Sequence, residues 1–270
     1  MSIKVCIAGA TGWAGSALAQ GVINSRDMHL VSAVSRTHAG KTLDSILSDS
    51  TAEVPIFATV EEALETPCDV FVEYTKPAHA RQHIIYALNR GISTVIGTSG
   101  MSQDALAEFD TVARQNNCGV FEGGNFSLTC FLLQKFSQVA AQYIPHCEII
   151  DYTHEDKVDS PSGTARSIAH HIGAVRESKL DVPLDKIWGP GESRGTRLAG
   201  TQVHSVRLPG YVSAIETIFG LPGEKLSLRH EVGDSAVPFV EGALMGIRKV
   251  RDFVGLKQGM ESVLDVSFQN

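Results

Sequence analysis

The residues able to do chemistry fall in a few short stretches. The first, Gly9-Ala10-Thr11-Gly12-Trp13-Ala14-Gly15, stands directly behind the apolar run Ile3–Ala8. A dinucleotide's pyrophosphate needs a tight turn, close approach to bare backbone and the N–H groups of a helix start. Gly9, Gly12 and Gly15 meet those needs, with Thr11, Trp13 and Ala14 in the same loop. The spacing is GxxGxxG and not strict GxGxxG, so a plain glycine turn is the competing reading. The strand–loop–helix context decides for the ligand.

An Asp or Glu about 20 residues past such a loop would bond the ribose 2′-hydroxyl of NAD. Ser35-Arg36-Thr37-His38 stands there instead, with Lys41 close behind. A guanidinium and small hydroxyls suit a 2′-phosphate through charge-assisted hydrogen bonds. Ser35, Arg36 and Thr37 therefore predict NADPH, with NADH less favoured; a solvated loop charge is the plain alternative for Arg36.

Farther on, His154, Lys157, Ser160, Ser162, Gly163 and Thr164 share a loop that runs into a helix start. Small residues at Ser162-Gly163-Thr164 open the helix N-terminus to a ligand. Its dipole, with Lys157, favours a carboxylate. Taken alone, Ser-Gly-Thr also reads as an ordinary N-cap and His154 as a bonded loop histidine.

The elements that must hold these residues follow from periodicity. Strand candidates at Ile3–Ala8, His29–Ser35, Val70–Tyr74, Thr94–Ile96 and Gly119–Phe121 alternate with helical stretches at Ser16–Val22, Pro77–Leu88 and Gln103–Arg114. Such alternation predicts βαβ units and a Rossmann-like, doubly wound parallel sheet covered on both faces. Past Asn125 the pattern changes: a helix over Leu128–Gln142, a strand over Cys147–Thr153 and a helix from Thr164 to His171. After the Gly/Pro/Arg-rich Trp188–Gly200, the alternating segments Gln202–Arg207, Ala214–Phe219 and Lys225–His230 predict an open, mostly antiparallel sheet with one face packed. Val237–Val250 is helical again. The fold class is thus α/β followed by α+β.

Composition bounds the function. The chain has 270 residues, 43% hydrophobic and 20% charged, with a formal net charge of −7. That balance excludes a disordered chain and gives no nonspecific grip on nucleic acid or anionic membrane. No apolar run reaches the ~20 residues of a membrane helix, and Met1-Ser2-Ile3-Lys4-Val5 does not open a signal peptide. Five scattered cysteines without CxxC spacing fit reduced thiols in a cytoplasmic protein.

Other residue types have plainer readings. His79/His83 and His170/His171 lack the carboxylate or cysteine company of a metal site, so no metal is expected. His230 reads as structural and Cys130 as a buried free thiol. Arg194, Arg197, Arg207 and His204 could meet a second substrate charge or a neighbouring subunit; the sequence does not choose.

Lys157 with Val158-Asp159-Ser160-Pro161-Ser162-Gly163-Thr164-Ala165 resembles the signature of the 4-hydroxy-tetrahydrodipicolinate (dihydrodipicolinate) reductases of lysine biosynthesis, the diaminopimelate route. Ile7-Ala8-Gly9, Asp69–Pro77, Val95–Gly100 and Asn125-Phe126-Ser127 are similar too, in the family's order over nearly the whole chain. The resemblance implies a dinucleotide-binding domain over 1–126 and a substrate-binding and oligomerisation domain over 127–234. It implies C-terminal helices over 235–270 returning to the first domain, and a homotetramer. It assigns Thr75, Gly97, Thr98, Asn125 and Phe126 to ribose and nicotinamide, and His154, Lys157, Gly163 and Thr164 to a substrate carboxylate.

The sequence departs from the family at two places. Where the family reads His-His before the lysine, this chain has Thr153-His154, and near Asp234–Ala243 the family's Arg is missing. A hydroxyl is a poor proton donor near neutral pH, so the proton would come from Lys157, His154 or a water held by Thr153. The expected activity is NADPH-dependent reduction of a C=N bond in a small carboxylated cyclic imine. The alternatives are a paralogue acting on another imino or keto acid, like an amino-acid dehydrogenase, and a catalytically weak NADPH-binding sensor.

Overall fold

The computed structural model describes residues 2–47 and 52–264. In chain order its elements are β1 (Ile3–Ala8), α1 (Trp13–Asn24), β2 (Met28–Val34), β3 (Ile56–Phe57), α2 (Val60–Ala63), β4 (Val70–Glu73), α3 (Pro77–Asn89), β5 (Ser93–Ile96), α4 (Gln103–Gln115) and β6 (Gly119–Glu122). Then follow α5 (Leu128–Tyr143), β7 (His146–Thr153), α6 (Gly163–Val175), β8 (Thr196–Leu198), β9 (Thr201–Arg207), β10 (Ser213–Leu221) and β11 (Glu224–Val232). The last are α7 (Val240–Lys249) and β12 (Gly255–Gln258). The chain divides into two compact units: one up to Leu128 and again from Ala236, the other Thr129–Ser235.

In the first unit the strands form one parallel sheet of seven, ordered β12-β6-β5-β4-β1-β2-β3. The short β-branched runs are buried on both faces, as parallel strands under helices must be. Alternation along β1 sends Cys6 and Ala8 toward Val60, Ala63 and Leu64 of the α2 region and Ala87 of α3. On the other face α1 meets α7 at Gly21, where a Cβ would overlap Val240. Strand order reverses at β1, which has β2 on one side and β4 on the other. Ligands of open α/β sheets bind outside the strand ends at such a point.

The second unit is a sheet of five, ordered β11-β10-β7-β9-β8. It is mixed, because β7 and β9 run parallel while its other pairs are antiparallel. One face carries Cys147, Ile149, Val203, Ile215 and Phe219 against Leu133 and Ala140 of α5 and Ile168 and Ile172 of α6. Along β7 burial alternates strictly, so Asp151 and Thr153 share the helix-covered face.

Sequence periodicity places the long elements to within a few residues and misses β3, α2, β8 and β12. These have two to four residues, too few to repeat a pattern, and β3, β8 and β12 are edge strands. Among the described residues no helix is long and apolar enough to cross a membrane, and no cluster of His, Cys, Asp and Glu could hold a metal ion.

Candidate active site

The glycine loop lies at the reversal point of the parallel sheet. Gly9 has φ +80°, a left-handed backbone that glycine adopts without strain, and a Cβ on it would overlap the Tyr74 carbonyl oxygen at the end of β4. A Cβ on Gly15 would overlap the Gly9 carbonyl. The loop therefore closes only with bare backbone. The Gly12 amide donates to the Gly9 carbonyl at 2.9 Å, and Gly12 caps α1 without any side chain. This cradle fits a pyrophosphate: glycine backbone in a tight turn that runs into a helix start. Ala14 is in the first turn of α1, and Trp13 is 60% exposed beside Phe239.

Beside the glycine loop lies a row of hydroxyls. Ser35, at the end of β2, is buried and shares hydrogen bonds with Thr11 Oγ1 at 2.8 Å and Thr37 Oγ1 at 3.3 Å. Arg36 and Thr37 beside it are exposed. The structure thus joins the glycine loop to the Ser35–Thr37 turn through a hydroxyl chain, leaving the guanidinium to solvent.

Across β4 and β5, Thr75, Gly97 and Thr98 come together around a residue the sequence reading passed over. Glu73 is fully buried and accepts from the Thr75 amide at 2.7 Å and from the Thr75 hydroxyl. Its other oxygen accepts from His83 Nδ1 at 2.8 Å. His83 is therefore the partner of a buried carboxylate that the sequence did not show beside it. Gly97 lies against the Tyr74 ring, which a Cβ there would overlap, and the ring's burial pushes the Tyr74 hydroxyl pKa up. Phe126 is buried against Tyr74 and Phe121, and Asn125 Oδ1 accepts the Ser127 amide at 2.9 Å.

In the second unit the His154–Thr164 loop hangs from a buried carboxylate. Asp151 of β7 accepts the Ser162 amide at 2.8 Å, the Ser162 hydroxyl at 2.7 Å and Arg207 Nη2 at 2.8 Å. Ser162 Oγ in turn accepts the Ala165 amide at 3.2 Å and caps α6. Both Ser162 donors are thus spent on Asp151, which makes Ser162 the anchor of this helix start. Gly163 and Thr164 open α6 at the positive end of its dipole. The space where a Gly163 Cβ would sit is open, with Arg166 no nearer than 3.9 Å.

Lys157 and His154 project from the loop. Lys157 Nζ pairs with Asp159 at 2.7 Å and holds that carboxyl below the usual range. His154 Nδ1 lies 2.8 Å from Asp156. Thr153 is different: it is 1% exposed, and its hydroxyl has no hydrogen-bond partner among the described residues.

The remaining candidates resolve into structural parts. Arg194 and His204 both reach Glu148, and Arg197 reaches the Ser178 carbonyl and Glu177. Arg207 turns inward to Asp151 and to the Asp159 carbonyl. His230 is buried and bonded to Thr129 Oγ1 at 3.0 Å. Burial pushes the Cys130 thiol up to about 12, which makes it a poor nucleophile.

Two family models match this chain: dihydrodipicolinate reductase, N-terminus, over residues 3–126, and dihydrodipicolinate reductase, C-terminus, over residues 129–265. A 4-hydroxy-tetrahydrodipicolinate reductase of Lactiplantibacillus plantarum is 36% identical over 97% of this chain and 100% of its own. One of Lactococcus lactis subsp. cremoris is 37% identical over 98% of each. A solved structure of dipicolinate-bound dihydrodipicolinate reductase from Paenisporosarcina sp. TG-14 superposes with TM-score 0.84 at 32% identity, covering 98% of this chain and 100% of that one. An amine dehydrogenase from Mycobacterium smegmatis, 15% identical at TM-score 0.69 over 100% of this chain and 98% of that one, shares the fold.

Proposed function

Because the chain belongs to the dihydrodipicolinate reductase family, we propose that it reduces the C=N bond of 4-hydroxy-tetrahydrodipicolinate, a small carboxylated cyclic imine, in lysine biosynthesis. The chain is an oxidoreductase that works with a nicotinamide cofactor, which supplies the hydride when bound. We infer NADPH over NADH because the turn after β2 offers Arg36 and hydroxyls and no carboxylate.

The chain's own part is binding, orientation and proton supply. Gly9, Thr11, Gly12, Trp13, Ala14 and Gly15 receive the pyrophosphate, and Ser35, Arg36 and Thr37 the 2′-phosphate. Thr75, Gly97, Thr98, Asn125 and Phe126 seat the ribose and nicotinamide. Lys157, with the Gly163 and Thr164 amides and His154, holds a substrate carboxylate. Such positioning supplies much of the rate of a reaction whose hydride chemistry belongs to the cofactor.

Lys157 is the proton donor in this reading. The Thr153 hydroxyl is buried and is a weak acid, whereas Lys157 is on the exposed loop. The observation that carries the proposal is the loop itself: a lysine and a helix start, fixed by one buried carboxylate, in the unit that matches the family's C-terminal model. Dipicolinate, bound by the solved relative, is a dicarboxylate of the class such a loop would take. The matches do not favour the keto-acid or sensor alternatives.

We further propose a cytoplasmic homotetramer. The five cysteines are unpaired, and the sheet face away from α5 and α6 carries Glu148, Tyr152 and Glu216 for subunit packing. The test of the activity is stoichiometry. Freshly generated 4-hydroxy-tetrahydrodipicolinate should consume one NADPH per imine, and dipicolinate should inhibit competitively. Oxidation of NADPH by 2-keto acids with ammonia, and none with the imine, would overturn the reading.

A further inference from the structure

We infer that Glu73 and His83 are positioning residues for the cofactor: they orient the Thr75 hydroxyl so that it presents an acceptor oxygen, beside a Thr98 hydroxyl held by backbone carbonyls. The inference rests on the nicotinamide-cofactor reading above and adds residues that the reading does not use. Glu73 ends β4, and its side chain has no exposure. A buried carboxylate must have its lone pairs filled by protein donors. Oε1 takes the Thr75 amide at 2.7 Å and the Thr75 hydroxyl, with the Thr98 hydroxyl at 3.5 Å. Oε2 takes His83 Nδ1 from the middle of α3 at 2.8 Å. The Glu73 carbonyl also accepts the Gly97 and Thr98 amides at 2.9 and 3.1 Å. One residue thus ties the ends of β4 and β5 to α3.

The chemistry of these bonds fixes what the rim offers. A hydroxyl has one proton. Thr75 gives its proton to Glu73, and Thr98 gives its own to the carbonyls of Glu73 and Thr75 at 3.2 and 3.3 Å. Both oxygens then have only lone pairs left for a ligand, so they suit donors such as ribose hydroxyls or a carboxamide NH2. Stability does not account for the arrangement, because replacing a buried polar pair by apolar residues of similar volume is often neutral or stabilising. What the carboxylate adds is direction.

The experiment uses the full chain, with NADPH affinity read by calorimetry and steady-state KM read for NADPH and for the imine. Glu73→Leu and Thr75→Val should each weaken NADPH about tenfold, the loss expected for a charge-assisted hydrogen bond, with the imine KM within about twofold. The double variant should be no worse than the worse single variant. Glu73→Gln, which can still accept from Thr75, should recover to within about threefold of wild type. Wild-type affinity in Glu73→Leu, or losses that multiply in the double variant, would overturn the inference. If Glu73→Leu does not unfold cooperatively, His83→Gln replaces it: NADPH should weaken about threefold, and an unchanged affinity overturns the inference. A wild type that binds neither NADPH nor NADH is a different result; it removes the cofactor reading, and this inference with it.

Discussion

Arg207 Nη2 donates to Asp151 Oδ2 at 2.8 Å and to the Asp159 backbone carbonyl at 2.8 Å, so one guanidinium joins β7, β9 and the lysine-bearing loop. The two residues lie two positions apart across the parallel β7–β9 ladder, where Thr153 is directly opposite Arg207. Asp151 fixes one end of the loop through Ser162, and Arg207 fixes it at Asp159, two residues past Lys157. The candidate carboxylate clamp therefore stands on an ion pair between a buried carboxylate and a half-buried guanidinium.

Removing either partner strips the other of its counter-charge, at a cost of up to ~3–5 kcal/mol. Arg207→Met and Asp151→Asn should each lower the urea midpoint of unfolding clearly. The double variant should be less destabilised than the sum of the two. Losses that simply add would show that the residues do not act as a pair.

The proposed preference for NADPH rests on Arg36. It is exposed beside the Ser35–Thr37 hydroxyl chain, so its removal disturbs little packing. Arg36→Ala should raise KM for NADPH about tenfold, the worth of a lost phosphate contact, and leave KM for NADH nearly unchanged. An equal loss for both cofactors would put the 2′-phosphate elsewhere.

Acid sensitivity should be traceable to His230. Burial pushes its pKa below the ordinary 6.5. Between the lowered folded value and 6.5 the unfolded chain binds more protons than the folded one, so stability rises with pH across that window. This contribution is complete above about pH 6.5 and is lost as pH falls through the folded value. Urea midpoints from pH 5 to 7.5 should show that slope in the wild type and a flatter one in His230→Gln. Equal slopes would remove His230 as the cause.

Much of the fold was legible because its elements repeat a pattern. β1, β4, β5 and β6 are apolar runs between helices, and β7, β9 and β10 alternate. The glycine loop was readable because sterics leave no other residue at Gly9 and Gly15. Glu73 was not readable: a glutamate ending an apolar run looks like a strand end reaching water. Only the tertiary fold brings His83, ten residues on along the chain, to its second oxygen. Asp151 was hidden for the same reason. Nothing local shows that its partners are Ser162 and Arg207, 11 and 56 residues away. Ser162 was readable as a cap and as a ligand residue, and the structure spends its donors on the anchor.

The most direct measurement is NADPH consumption with freshly generated 4-hydroxy-tetrahydrodipicolinate, comparing wild type, Lys157→Ala and Thr153→His. The account predicts robust wild-type turnover and a Lys157→Ala protein that still binds NADPH. That variant should turn over about a hundredfold more slowly or worse, the range for losing a positioned proton donor. Because Thr153 is enclosed, Thr153→His should bring no gain. An inactive wild type that gains turnover on Thr153→His, or a Lys157→Ala protein that turns over normally, would contradict the account.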